Sequence, residues 1–315
     1  MPPAFRLDGN LGLGITELGI FATLALFGIL VLQVYIYYLS SVDDGSMLKC
    51  LVAAVLVLEL CHTIAGSAAI YYWTVTLATV SEKPGSSYGL SLGMVFETLI
   101  TLLVQAYFIH RVYRFSQNAF LGIALTVLCV LRFVGGLIIS VESFLNLPRE
   151  PDYFALQDRF AWLIMATFSV GAFVDVCIAS ALCVYVYKWK TVPAMKTTSQ
   201  LIHKIMFWSI QTGLVTSLAS VTVIACFQAM RRNYVWIGVF AILGKLYSNS
   251  LLASLNVRNL HRNNTRNMQS FAMFSDLMPD FAQYPSGLPQ SASSFETQPA
   301  SHPVQKELRR IPMVG

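Results

Sequence analysis

The chain has 315 residues, of which 56% are hydrophobic and only 12% are charged, with a net charge of +5 and a mean hydropathy of +0.61. About a quarter of the residues in a soluble domain are charged, so this composition excludes an ordinary soluble protein. The basic residues are not gathered into a patch interleaved with aromatic residues, and we therefore predict no nucleic-acid partner.

Long apolar runs follow one another along the chain, each separated by a short polar segment. Every run has about 20 residues or more, enough for a helix to cross a hydrocarbon core about 30 Å thick. Backbone groups in lipid must hydrogen-bond internally, and the alternation typical of barrel strands is absent. We predict an all-α fold, an integral membrane bundle of seven transmembrane helices in a lipid bilayer, with spans at residues 15–39, 51–77, 90–113, 119–141, 160–187, 201–230 and 234–257.

Three regions are expected. Residues 1–14 form an extracellular N-terminal segment, and residues 15–257 form the transmembrane domain. The first apolar run is too long for the core of a cleavable signal peptide, so we interpret it as the first span. Residues 258–315 are rich in Ser, Asn, Gln and Pro, which predicts a disordered cytoplasmic tail. Its aromatic and acidic stretch at residues 271–284 is a candidate docking segment for a cytoplasmic partner.

The distribution of basic residues predicts the orientation. With the N-terminus outside, ten Lys and Arg residues fall in or beside the cytoplasmic loops and six in or beside the outer ones. Because cytoplasmic loops carry an excess of Lys and Arg, we expect the N-terminus outside and the C-terminus in the cytoplasm. The plasma membrane is the expected location.

Ionisable residues within the spans are the candidate functional positions, because a charge inside a membrane is costly unless it is paired or used. We predict two ion pairs between helices, Glu97 with Arg132 and Asp175 with Lys245, since pairing offsets much of the cost of burial. The same residues could instead bind a ligand or an ion, or simply hold the helices in register. The candidate positions are Glu59 and His62 in span two, Glu97 in span three, Arg132 in span four, Asp175 in span five, and Lys245 and Asn249 in span seven.

Two further polar stripes follow helical spacing and should face the interior of the bundle. One, on span seven, continues from Lys245 and Asn249 to Asn256. The other, on span six, consists of Ser209, Thr212, Thr216 and Ser220.

Motifs that would indicate an enzyme are missing. The sequence has no HExxH, GxSxG or phosphate-binding glycine loop. His62, His110 and His203 lie on different spans, and a catalytic metal site usually needs three protein ligands. We therefore predict no enzymatic activity, no metal site and no cofactor. The six cysteines lie in or beside apolar runs and are interpreted as packing residues rather than a disulfide framework.

Two well-known classes of seven-helix protein do not fit the sequence. Microbial rhodopsins have an Asp four residues before the retinal lysine, where this chain has Ala241 before Lys245. The common G-protein-coupled receptors end span three with Asp-Arg-Tyr, whereas this span ends His110-Arg111-Val112-Tyr113. The topology matches both classes, but the residues do not.

Several strings do resemble one family. They are LVQAYFIHRVYRFS at Leu103–Ser116, TGLVTSLAS at Thr212–Ser220, and GKLYSNSLLASLNVR at Gly244–Arg258, together with His62-Thr63 and Tyr71-Tyr72. With these the chain resembles the fungal seven-helix membrane proteins grouped as domain-of-unknown-function family 6534, over residues 15–258. The resemblance implies a multi-pass membrane protein and a shared role, which could be structural, for matching positions including Lys245, Tyr247, Asn249 and Asn256. It implies no ligand or reaction.

Three functions stay open. The first is a receptor-like or sensory membrane protein, favoured by the expected orientation, the polar interior and the tail. The second is a small-molecule or proton-coupled transporter or channel, in which Glu59 and His62 on one helix face could relay a proton. The third is a structural membrane protein without a ligand. The two halves show no internal repeat, which favours the receptor class over a transporter.

Overall fold

The computed structural model describes residues 9–41, 44–76, 87–146, 153–190, 196–230 and 234–277. The side chains of residues 9–11, 76, 146, 153–156, 186, 189–190, 196–212 and 260–277 fall outside this description. Within the described residues the chain is helical and contains no strand, which confirms the predicted all-α fold. The helices are α1 (Gly9–Ser40), α2 (Ser46–Tyr71, continued by a π-helical turn, Tyr72–Thr76), α3 (Tyr88–Ser116), α4 (Ala119–Asn146), α5 (Tyr153–Lys190), α6 (Lys196–Ala229) and α7 (Val235–Leu277).

Six of these helices are long and apolar enough to cross a membrane, namely all except α6. In α6 the described apolar stretch is the shorter Gly213–Ala229. Large apolar side chains such as Phe21, Val57 and Leu131 face outward, whereas Glu59 and Lys245 are fully buried. An apolar exterior around a polar interior is the arrangement expected of helices that lipid surrounds.

Neighbouring helices in the sequence pack side by side from α1 through α6, and α3 also packs on α5. The link between α3 and α4 shows how local sequence fixes such pairs. Gln117 ends α3 in the left-handed conformation with a φ of 51°, and the Asn118 side chain accepts a hydrogen bond of 3.0 Å from the Phe120 amide. A left-handed residue followed by an Asn cap turns the chain tightly, so α3 and α4 are adjacent and antiparallel.

Helix α7 is the central helix of the bundle. In its apolar stretch 72% of the residues are buried, a larger share than in any of the other five long apolar helices. Its side chains form polar contacts with helices α1, α2, α4 and α5, and its Ser254 hydroxyl accepts a 2.6 Å hydrogen bond from Arg111 of α3. A helix enclosed in this way can carry polar residues on several faces, because none of those faces meets lipid.

Glycine residues allow α1 to reach α7 closely. A Cβ atom placed on Gly19 would lie 2.7 Å from the Cα atom of Gly238, so the two backbones touch where these residues cross. One turn away, the Thr16 hydroxyl donates a 2.9 Å hydrogen bond to the Tyr234 carbonyl. Small residues at such crossings replace side-chain contacts by backbone packing, which is common between membrane helices.

A disordered tail was expected from residue 258, and in the structure the first part of that segment belongs to a helix. Helix α7 continues to Leu277, and the chain divides into two compact units, Met1–Thr265 and Arg266–Gly315. Neither Gly nor Pro occurs after Gly244 until Pro279, so nothing in the sequence stops the helix earlier. Residues 1–8 and the rest of the tail, from residue 278 onward, lie outside the described residues. The predicted docking segment is therefore described only as far as residue 277.

Candidate functional site

The first polar cluster joins α7 to α2. The Lys245 ammonium forms an ion pair with the Glu59 carboxylate and donates hydrogen bonds to the Glu59 carbonyl at 3.0 Å and the Thr63 hydroxyl at 2.6 Å. It also lies 5.1 Å from the ring centroid of Phe27. The predicted pairing of Lys245 with Asp175 is therefore wrong, because Lys245 points to α2, whereas Asp175 lies on α5.

The second polar cluster joins α7 to α3, α4 and α5. Arg132 donates a 3.2 Å hydrogen bond to the Tyr247 hydroxyl, and that hydroxyl donates to Asp175. Gln105 supplies a second donor to Asp175 at 2.9 Å. The Arg132 guanidinium lies against α5 at Gly171, where a Cβ atom would come within 2.6 Å of its Nε. Tyr247 thus connects a buried cation to a buried carboxylate.

Glu97 lies between the two clusters and belongs to neither. Its carboxylate packs against the backbone of Gly244, where an added Cβ would clash with it. Its Oε1 atom accepts one long hydrogen bond of 3.4 Å from Thr101, and its buried Oε2 atom has no hydrogen-bond partner. The predicted Glu97–Arg132 ion pair is also wrong: within the described residues the ion pairs are Lys245–Glu59 and Arg258–Asp44.

A cavity of about 60 Å³ opens between α3, α4, α5 and α7, next to Glu97. A single water needs roughly 10–15 Å³ of such volume, so several waters or a small ligand fit. Polar and apolar side chains both line the cavity. The polar wall contains Glu97, Thr101, Gln105 and Arg132, and the apolar wall includes Phe133, Phe168, Trp236 and Phe240.

The remaining predicted positions lie elsewhere. Asn249 donates to the Leu26 carbonyl of α1 at 3.2 Å and to the Lys245 carbonyl at 2.8 Å, and it therefore ties α7 to α1. His62 is buried beside a separate cavity of about 30 Å³, and its Nδ1 atom has no partner. Glu59, which shares its helix face, is bound to Lys245 instead.

Sequence reasoning missed two members of the clusters, Thr63 and Gln105, and pointed to Tyr247 through the family resemblance alone. A signal was available for Gln105, because Glu97, Thr101 and Gln105 recur every four residues on α3 and so share one helix face. A Tyr in a membrane span gives no such signal. Of the predicted stripe on span six, Thr216 and Ser220 are buried, and Ser209 and Thr212 lie outside the described side chains. No cluster of three metal-ligating residues occurs within the part of the chain that the structure describes.

Long apolar helices around a buried polar interior define the class: this is a multi-pass membrane protein, and its exposed apolar faces indicate contact with lipid. The model of the family of unknown function DUF6534 matches residues 171–260, which include the strings at 212–220 and 244–258. This match supports the resemblance to that family, while the fungal origin and the count of seven spans stay predictions. No curated protein and no solved structure matches the chain.

Proposed function

We propose that the protein is a receptor-like, non-enzymatic seven-helix membrane protein that binds a small ligand in the cavity beside Glu97. The observation that carries the proposal is Glu97 itself, which lines that cavity, is 97% buried and has one carboxylate oxygen atom without a hydrogen-bond partner. A membrane protein that only needed to hold its helices together would gain stability by pairing or replacing such a group.

The cavity also adjoins contacts that a ligand could alter. Arg132 belongs both to its wall and to the second cluster, where it contacts Tyr247 of the central helix. A ligand that moved Arg132 would change how α4 and α5 are held to α7. Binding can shift a conformational equilibrium only through such differential contacts, and this cluster supplies them.

The proposal is tested by following the thermal unfolding of the purified full-length protein in the presence of a panel of small molecules. A ligand that binds only the folded state stabilises it, by about 2.7 kcal/mol at a concentration of 100 times Kd. Ser140→Leu narrows the cavity and should abolish the shift, whereas Ser169→Leu, on the exposed face of α5, should leave it unchanged. A panel without any shift, or a shift that survives Ser140→Leu, would refute the proposed site.

The proposed orientation has the N-terminus outside and the C-terminus in the cytoplasm of the plasma membrane, where the tail would meet a cytoplasmic partner. Its support is the excess of basic residues in the expected cytoplasmic loops. In a cysteine-free background, a membrane-impermeant thiol reagent should label Ser86→Cys in intact cells but not Gln117→Cys. Labelling of Gln117→Cys alone would show that the orientation is the opposite of the proposed one.

A second candidate is a proton-coupled transporter or channel. Glu59, Glu97 and His62 each have a buried polar atom without a partner, and such groups can take up and pass on protons. Reconstituted vesicles would then show a proton flux that Glu97→Gln abolishes and that Glu142→Gln preserves, since Glu142 is a half-buried carboxylate of α4 that does not line the cavity. Absence of proton flux in the wild type would contradict the transporter candidate and leave the receptor-like proposal as the remaining one.

A further inference from the structure

In the two polar clusters and at Glu97 the buried charges do not balance. Three carboxylates, Glu59, Glu97 and Asp175, face two cationic groups, Lys245 and Arg132. Arg111, another buried cation that contacts the central helix, donates to Ser254, nine residues beyond Lys245. Lys245 is bound by Glu59, and Arg132 is linked to Asp175 through the Tyr247 hydroxyl. Glu97 is the carboxylate without a cation of its own. A buried site that lacks one positive charge is complemented by a ligand that brings one.

The side chains of the cavity wall that lack a hydrogen bond need donors as partners. Two residues of this wall each have a buried oxygen atom without a partner, Glu97 Oε2 and Gln105 Oε1, and both atoms are acceptors. They lie eight residues apart on α3, which corresponds to about 12 Å along the helix axis at 1.5 Å per residue. A carboxylate ligand would leave both atoms unsatisfied and would meet Glu97 with like charge. Arg132, the cation on this wall, donates to the Tyr247 hydroxyl.

The apolar wall is aromatic, which suits an organic cation better than a bare metal ion. Phe168 and Phe240 pack edge to face with centroids 5.7 Å apart, and Trp236 lies 6.2 Å from Phe240. Aromatic faces attract ammonium groups and pack against hydrocarbon. A metal ion such as Na⁺ instead needs several oxygen ligands, and much of this wall is hydrocarbon and aromatic carbon.

We infer that the cavity takes an organic ammonium ion, a protonated amine with a small apolar body, whose N–H groups donate to the Glu97 carboxylate while its body packs on the aromatic wall. This inference rests on the proposed function and names the ligand class of the same site. It gives Glu97 a binding role, with Thr101 holding its other oxygen.

The test measures thermal unfolding of the full-length protein in detergent at increasing n-butylammonium chloride. NaCl at equal ionic strength serves as the reference, and 1-butanol and sodium butyrate are the neutral and anionic probes of matched size. The unfolding midpoint should rise saturably, by about 2 °C or more, with butylammonium alone. Glu97→Gln should remove the shift, Glu97→Asp should reduce it, and Glu142→Gln should keep it in full.

A butylammonium shift that survives Glu97→Gln overturns the inference, and so does an equal shift with NaCl. A saturable shift with butanol or butyrate that Ser140→Leu removes also overturns it, but leaves the proposed ligand site standing. If neither these probes nor the wider panel shifts the midpoint, the inference and the proposed function fail together. Glu97→Asp keeps the test decisive should the amide variant fold poorly.

Discussion

The Lys245 ammonium has three donors, and three oxygen atoms of α2 accept from it: the Glu59 carboxylate, the Glu59 carbonyl and the Thr63 hydroxyl. An ammonium group has no acceptor capacity, so this set satisfies it completely. The side chain is fully buried, as is that of Glu59. Removing one member of such a pair leaves the other charge buried and uncompensated, which costs far more than replacing both.

Replacement of Lys245 separates the observed partner from the one that sequence reasoning predicted. Lys245→Met should lower the free energy of unfolding by about 3–5 kcal/mol, because Glu59 loses its cation. Adding Glu59→Leu should restore much of this loss, whereas adding Asp175→Leu should not. Denaturant unfolding in detergent measures all three.

Lys188→Met, at an exposed position of α5, is the matched control and should change stability by no more than about 0.5 kcal/mol. Recovery with Asp175→Leu and none with Glu59→Leu would mean that Lys245 contacts α5 in solution.

At the scale of the helices, backbone contact holds α1 against α7. Asn249 and Asn256 of α7 donate to the carbonyl groups of Leu26 and Gln33, at 3.2 and 2.9 Å. Together with the crossing at Gly19, these bonds run along much of the interface. Such hydrogen bonds to carbonyl groups need the two helices to lie close, so the small residues and the Asn side chains act together.

Two glycine substitutions on the same helix test this contact. Gly19→Ala places a methyl group against the backbone of Gly238 and should destabilise the protein by about 1–3 kcal/mol. Gly28→Ala meets nothing within 4 Å and should be neutral or stabilise by up to about 1 kcal/mol, as Ala is the better helix former. Thermal unfolding compares the two variants. Equal midpoints would show that α1 does not touch α7 at Gly19.

At the scale of the whole molecule, the fold could be predicted from hydropathy because lipid demands long apolar runs. The run predicted at residues 119–141 begins at the same residue as α4, Ala119–Asn146. The extension of α7 to Leu277 could also be predicted, since Pro279 is the first strong helix breaker after Gly244. Composition suggested disorder there, but composition alone does not end a helix.

The partners of the buried charges could not be predicted, because depth in the membrane does not say which way a side chain points. Lys245 and Tyr247 are two residues apart on α7, so they lie about 200° apart around a helix of 3.6 residues per turn. One therefore meets α2, and the other meets α4 and α5. The order of helices around α7 decides which charge each of them finds, and a single sequence does not contain that order.

The central claim is that Glu97 binds a ligand and does not stabilise the fold. The most direct test compares the free energies of unfolding of Glu97→Gln, Glu59→Gln and Asp175→Asn without ligand. Glu59 and Asp175 are bound by Lys245 and Tyr247, so their amide variants should each lose about 3 kcal/mol or more. Glu97→Gln removes a buried charge that has no cation, so it should match or exceed the wild type. A loss as large as that of Glu59→Gln would mean that Glu97 helps to hold the bundle together, and would contradict the account.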